Sequence, residues 1–125
     1  MIPLDPETVI EINKSVNNTE TPWVNKDLLY SAFSSYSYYE DPLEQFCTIY
    51  RSLIKNHAFS NGNKRTAVIV LTAYLNQHNY RLSSKDLCDL SLDVATHNYK
   101  VSEITEKLLP LIHKVGSSWI TMSKL

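Results

Sequence analysis

The sequence is short of several things whose presence would point elsewhere. Across 125 residues it has two glycines, Gly62 and Gly116. A β-rich fold of this length draws on glycine for its tight turns, so the scarcity argues for helices. It has two cysteines, Cys47 and Cys88, each within a helical pattern and without the Cys/His spacing of a zinc site. Both are expected to be buried thiols, left unpaired in a reducing compartment. It has no charge excess: the net charge is -1. That excludes a protein built mainly to coat nucleic acid, and no direct nucleic-acid partner is expected. No apolar run approaches the roughly 18 residues that span a bilayer. The stretch Met1-Ile2-Pro3-Leu4-Asp5 has neither the basic nor the apolar region of a signal peptide. The expectation is a cytoplasmic protein with no membrane partner.

What is present is ordinary for a globular chain, 43% hydrophobic and 20% charged, with enough length to bury one core without staples. Hydrophobic spacing predicts an all-α, compact, single-domain bundle of about six helices over residues 1–114, followed by a patternless tail, 115–125. Asp5-Pro6 and Asp41-Pro42 each pair an N-cap with a first-turn proline and predict helices to about Ser15 and Asn56. Val16 to Pro22 reads as a loop. Asn25 caps a helix from Lys26 to Phe33, and Ser34 to Glu40, rich in tyrosine, reads as an extended segment or short hairpin. The run from Asn63 to Gln77 is apolar around its whole middle, so it is expected to be central and buried. Tyr80 to Leu82 is a short link. Ser83 or Ser84 caps a helix to Thr96. Ser102 caps a last helix from about Glu103 to Lys114, in which Pro110 makes a kink or an early stop. Trp23 and Trp119 are expected to pack in the core and the tail. His78, His97 and His113 show no partner spacing and read as surface or cap residues.

The chemistry concentrates in His57-Ala58-Phe59-Ser60-Asn61-Gly62-Asn63-Lys64-Arg65. A helix ends, a loop with one glycine follows, and an apolar helix begins at Asn63. The first turn of that helix offers free N–H groups and the positive end of the dipole, which together attract anions. Gly62 permits positive φ or close approach of the backbone to an anion. Lys64 and Arg65 oppose the dipole unless a polyanion sits between them, and phosphate is the natural candidate, with Arg65 able to bind it bidentately. His57 stands beside this cradle, and a histidine can take a proton from a hydroxyl near neutrality. Asn61 offers a carboxamide oxygen, although magnesium prefers a carboxylate together with phosphate oxygens. Phe59 reads as an anchor to the core. Taken singly, a histidine before a loop is a cap and Gly-Asn-Lys-Arg a solvated helix start; the combination at these spacings is far more specific.

Those nine residues resemble the signature of the Fic/Doc (death-on-curing) proteins, His-x-Phe-x-(acid or Asn)-(Gly or Ala)-Asn-(Gly or Lys)-Arg. The likeness extends to Lys26–Phe33, Thr48–Asn56, Leu71–Leu82 and Val94–Leu108, and so to most of residues 1–114. It implies a compact helical fold and transfer from a nucleoside triphosphate to a protein hydroxyl. The AMP-transferring Fic branch carries glycine where Lys64 stands and a second arginine where Val68 stands. Both departures resemble the Doc branch, in which the nucleotide binds in the reversed sense. By that resemblance the product would be a phosphorylated protein, elongation factor Tu, and the outcome translation arrest in a bacterial cell.

The resemblance further implies His57 as general base, Asn61 at the Mg2+ position, and Ser60, Gly62, Asn63, Lys64 and Arg65 around the phosphates of ATP. Phe59 would be structural. Tyr36, Tyr38 and Tyr39 fall where the family has a flap that docks the target, a role suited to backbone pairing with a substrate strand; simple packing of amphipathic tyrosines is the other reading. Asn61 in place of an acid should weaken Mg2+ binding. The inhibitory helix of the Fic branch has its nearest match at Ser102 to Glu106, but Lys107 breaks the pattern, so inhibition is expected from a separate small antitoxin protein. An AMP-transferase and a catalytically inactive relative that only binds a partner are the competing readings.

Overall fold

The structure, a computed structural model, describes residues 5–18, 23–35 and 39–114. They form helices α1 (Pro6–Asn17), α2 (Lys26–Ser35), α3 (Pro42–Lys55), α4 (Asn63–Gln77), α5 (Ser84–Thr96) and α6 (Val101–Leu108), with two-residue strands β1 (Tyr80–Arg81) and β2 (His113–Lys114). The architecture is the expected all-α bundle. No described helix is long and apolar enough to cross a membrane. The tail after Lys114, with Trp119, lies outside the described residues, as do Tyr36 and Tyr38.

Local chemistry starts most of the helices. The Asp5 carboxylate accepts from the Thr8 N–H (2.8 Å) and that of Asp41 from the Leu43 N–H (3.0 Å), each ahead of a proline that has no N–H to satisfy. Asn25 Oδ1 accepts from the Leu28 N–H, and Ser83 Oγ from the Asp86 N–H. α1 runs two residues past Ser15, closed by Asn18 in the left-handed region at φ +51°. α2 likewise continues through Ser34 and Ser35, where an extended segment was expected, since serine tolerates a final turn.

The core belongs to α3 rather than to α4. Phe46, Cys47, Ile49, Tyr50, Leu53 and Ile54 are all buried, and α3 lies against α2, α4, α5 and α6. α4 buries Thr66, Ala67, Val70, Leu71, Tyr74 and Leu75 but leaves Ile69 42% exposed. Its apolar middle does not make it central, because α1, α3 and α5 cover only part of its circumference. A buried hydroxyl pair ties α3 to α5: Ser91 Oγ donates to the Leu87 carbonyl, so Tyr50 donates to Ser91 Oγ at 2.6 Å. Burial pushes the Tyr50 phenol up to about 12.

α6 begins at Val101, two residues before the expected Glu103. Lys100 is its N-cap residue, and the Glu103 carboxylate reaches back to accept the Lys100 N–H at 2.9 Å. It ends at Leu108, well short of Lys114, because Pro110 cannot donate to a continuing helix. The freed segment pairs instead: β2 runs antiparallel to β1, with Tyr80 opposite Lys114 and Arg81 opposite His113. Three other expectations are corrected. Trp23 is 61% exposed, since its neighbour Val24 takes the inward position. Cys88 is exposed on α5 and only Cys47 is buried. His97, exposed and the C-cap residue of α5 as expected, does have a partner, Asp93 one turn earlier, at 3.0 Å from its Nδ1.

Candidate functional site

The last turn of α3 is fixed from outside. Lys55 Nζ donates to the carbonyls of His97 (2.8 Å) and Ala95 (3.3 Å), where the C-terminal end of α5 favours a cation. Arg51 donates from Nε to the Tyr99 carbonyl and from Nη2 to Asn98 Oδ1. The chain leaves this anchored end through His57, which is exposed and held at φ +51°. A non-glycine residue there costs roughly 1–3 kcal/mol and persists only where its surroundings over-determine it.

The surroundings of the 56–62 loop meet that condition. Ala58 and Phe59 are buried, the Asn25 N–H donates to the Ala58 carbonyl at 2.6 Å, and Val24 bridges Phe59. The Asn63 carboxamide grips both backbone groups of Phe59: Nδ2 donates to its carbonyl (2.8 Å) and Oδ1 accepts its N–H (3.1 Å). From the other side, α1 supplies two asparagines. Asn13, fully buried, donates from Nδ2 to the Asn61 carbonyl (2.9 Å) and to Thr66 Oγ1 (3.0 Å). Asn17 Nδ2 reaches the same Asn61 carbonyl and Asn13 Oδ1, each at 3.0 Å. Gly62 sits at φ +74°, and a Cβ there would stand 2.8 Å from Asn17 Oδ1. Glycine is therefore demanded by backbone sign and by the packed asparagine together.

This scaffolding presents one side of the loop to a cavity of about 600 Å³. His57, Ser60, Asn61, Gly62, Asn63, Lys64 and Arg65 all line it, joined by Ile54, Lys55 and Ala95. Phe59 lies behind, 1% exposed, in the anchoring position expected of it. Tyr39 is not among the lining residues, and its carbonyl accepts from Gln45 Nε2 at 2.7 Å. Sequence reasoning passed over Asn13, Asn17, Thr66 and Lys55. The one local signal was Asn13 itself, four residues after the buried Val9 on the same helix face, where a polar side chain must find partners.

The start of α4 differs from those of the helices around it. No side chain caps it, its first turn has no acid, and Gly62 is its N-cap residue. Lys64 and Arg65 are exposed and have no hydrogen-bond or ion-pair partner among the described residues. Two unpaired cations against the positive end of a helix are an unfavourable arrangement that an anion would relieve. The sequence model of the Fic/DOC family matches residues 3–75, more than half of the chain and all of the loop with its α1 clamp. The chain belongs to the Fic/DOC family. Members of that family are typically nucleotide-transferring enzymes. No curated protein matches the chain.

The lining does not fit a Mg2+ ion held by the family member's own side chains. It contains no Asp or Glu, and Asn61 Oδ1 accepts the Gly62 N–H at 2.9 Å. No group of three or more His, Cys, Asp and Glu side chains gathers among the described residues. Magnesium is held by carboxylates together with phosphate oxygens, and a lone neutral oxygen is a poor substitute. The positive charge on this lining comes from Lys55, whose ammonium is engaged with backbone carbonyls, and from Lys64 and Arg65.

Proposed function

We propose that this Fic/DOC protein transfers the terminal phosphoryl group of ATP to a hydroxyl of a target protein, as the toxin of a toxin–antitoxin pair. The observation that carries the reading is the placing of His57 and the unpaired Lys64 and Arg65, at an uncapped helix N-terminus, on one cavity. The first-turn amides of α4, with Lys64 and Arg65, hold the phosphates and spread the charge that grows in transfer. The target hydroxyl oxygen bonds to the terminal phosphorus while its proton passes to the His57 imidazole. The bond from that phosphorus to the bridging oxygen breaks, and ADP leaves. A positioned general base contributes about 100- to 10,000-fold to such a step.

Lys64 and Val68 favour the phosphoryl product over AMP, since they stand where an AMP-transferring relative has glycine and a second arginine. Elongation factor Tu is the target to try first, and a small antitoxin protein is the proposed inhibitor. The absence of any carboxylate from the cavity lining favours a second reading, a relative that binds nucleotide or a partner without turnover.

Intact-mass spectrometry separates these readings. The full chain is incubated with ATP, Mg2+ and elongation factor Tu, beside His57→Ala. A gain of about 80 Da on the target that needs His57 is the expected result. A gain of about 329 Da, one AMP, would overturn the phosphoryl assignment. An unmodified target beside saturable ATP binding would favour the binding-only relative.

A further inference from the structure

His57 is anchored from both directions of the chain. After it, the Asn25 N–H and the Asn63 carboxamide fix the backbone of Ala58 and Phe59. Before it, the hold comes from far away in sequence, from the end of α5 and the link of residues 97–100 that joins it to α6. The carbonyls of Ala95 and His97 accept from Lys55 Nζ, the Tyr99 carbonyl accepts from Arg51 Nε at 2.6 Å, and Asn98 Oδ1 accepts from Arg51 Nη2 at 3.0 Å. These bonds are directional and land mostly on backbone, so the place of the link sets the place of the last turn of α3.

One carboxylate in turn holds the link. Asp93 Oδ1 accepts from the Tyr99 hydroxyl at 2.9 Å and stands 3.0 Å from His97 Nδ1, and Oδ2 lies 3.7 Å from Lys107 Nζ of α6. Lys107 Nζ also stands 4.7 Å from the centre of the Tyr99 ring, which stacks on the His97 ring with centroids 5.1 Å apart. The cluster is partly exposed, and ion pairs in such surroundings add little to stability. None of Asp93, His97, Tyr99 and Lys107 lines the cavity, whereas Lys55 and Ala95, joined by one of these bonds, line it with His57. We propose that Asp93 is a positioning residue for His57, acting through the 97–100 link and then through Lys55 and Arg51. The assignment rests on the reading of His57 as general base and names what keeps that base in place. A base acts only within hydrogen-bond reach of its proton, and a shift of about 1 Å costs on the order of 100-fold in rate. His57, at φ +51°, is prone to such a shift, because its backbone relaxes once either anchor lets go.

The test separates rate from binding. Initial rates of transfer from ATP to elongation factor Tu give kcat and the KM of the target, and calorimetry gives Kd for ATP. The full chain is compared with Asp93→Ala, Asp93→Asn and Tyr99→Phe, each shown to be folded by thermal unfolding. Asp93→Ala should lower kcat more than about tenfold and leave both binding constants within about twofold. The phosphate side keeps its own scaffold in Asn13 and Asn17. Asp93→Asn, which still has an oxygen to accept from the Tyr99 hydroxyl, should recover part of the loss. Tyr99→Phe removes one oxygen from an otherwise intact cluster, should lower kcat about threefold, and carries the test if Asp93→Ala does not fold. A second reading needs no turnover. The NMR signal of the His57 ring, assigned by its loss in His57→Ala, should move in Asp93→Ala, while that of His78, at the far end of α4, stays in place. A folded Asp93→Ala with wild-type kcat, or with an unmoved His57 signal, would overturn the assignment and leave the base reading standing. A loss of ATP affinity as large as the loss of rate would also overturn it, by making the cluster part of the binding site. A wild-type chain that transfers nothing removes the base itself, and the positioning role falls with it.

Discussion

The starts of α3 and α4 are opposites. α3 opens on Asp41-Pro42, its cap filled by a carboxylate, with Glu44 in its first turn and Lys55 in its last. Every charge there lies with the helix dipole. α4 opens on Gly62, without a side-chain cap and without an acid, and puts Lys64 and Arg65 where the dipole opposes them. Both helices belong to one core, so tertiary packing does not explain the contrast. The first arrangement satisfies the helix's own end. The second gives up local stability to leave N–H groups and cations turned toward a cavity, and breaches of local rules of that kind gather at functional sites.

Several substitutions would break or sharpen the contrast. The largest expected effect is at His57, the proposed base on the same cavity as the α4 start. His57→Ala should lower transfer by about 100- to 10,000-fold with nucleotide binding retained, measured as initial rate against Kd. Next comes the clamp that holds the α4 start open. Asn13→Ala removes a buried donor to two acceptors and should cost about 2–3 kcal/mol in thermal or urea unfolding. It should also weaken nucleotide binding, because the Asn61 carbonyl loses its buried donor.

Smaller effects come from making one helix resemble the other. Lys64→Glu gives α4 the first-turn acid that α3 has; it should stabilise the fold by about 1 kcal/mol while abolishing nucleotide binding. Asp41→Ala should do the reverse, costing about 1 kcal/mol and leaving binding unchanged. A stabilised Lys64→Glu that still binds ATP would remove the functional meaning of the contrast. The smallest effect concerns acid. The Thr8 N–H holds the Asp5 carboxyl below its ordinary value of 3.8. The stabilisation it gives α1 is thus complete above that value and is lost as pH falls through the lowered one. Asp5→Asn should flatten this part of the acid transition, and α4, with no ionisable cap, has no counterpart to it.

What the sequence disclosed follows the same division. Helix starts made by neighbours in sequence, as at Asp5-Pro6, Asp41-Pro42 and Ser83, were legible because the cap lies within three residues of what it caps. Seven of the ten residues that line the cavity were legible because they fall within one stretch, His57 to Arg65. α6 was placed late because a serine at 102 outweighed Lys100, although a Glu103 carboxylate can reach back to the N–H of any N-cap residue. α4 looked central because composition counts apolar residues without saying which face a neighbour covers, and Ile69 and Cys88 were lost to the same cause. The Asn13–Asn17 clamp joins residues 48 and 44 positions apart in the chain, a distance no local pattern spans.

The central claim is that the start of α4 is a polyphosphate site whose cations are essential. Calorimetric titration of ATP into the wild-type chain and into Arg65→Ala, with thermal unfolding to show that both are folded, tests it most directly. The account predicts one saturable site in the wild type, weakened more than about tenfold in the variant by the loss of a charge-assisted contact. Equal affinity in two folded proteins, or no binding by the wild type, would contradict it.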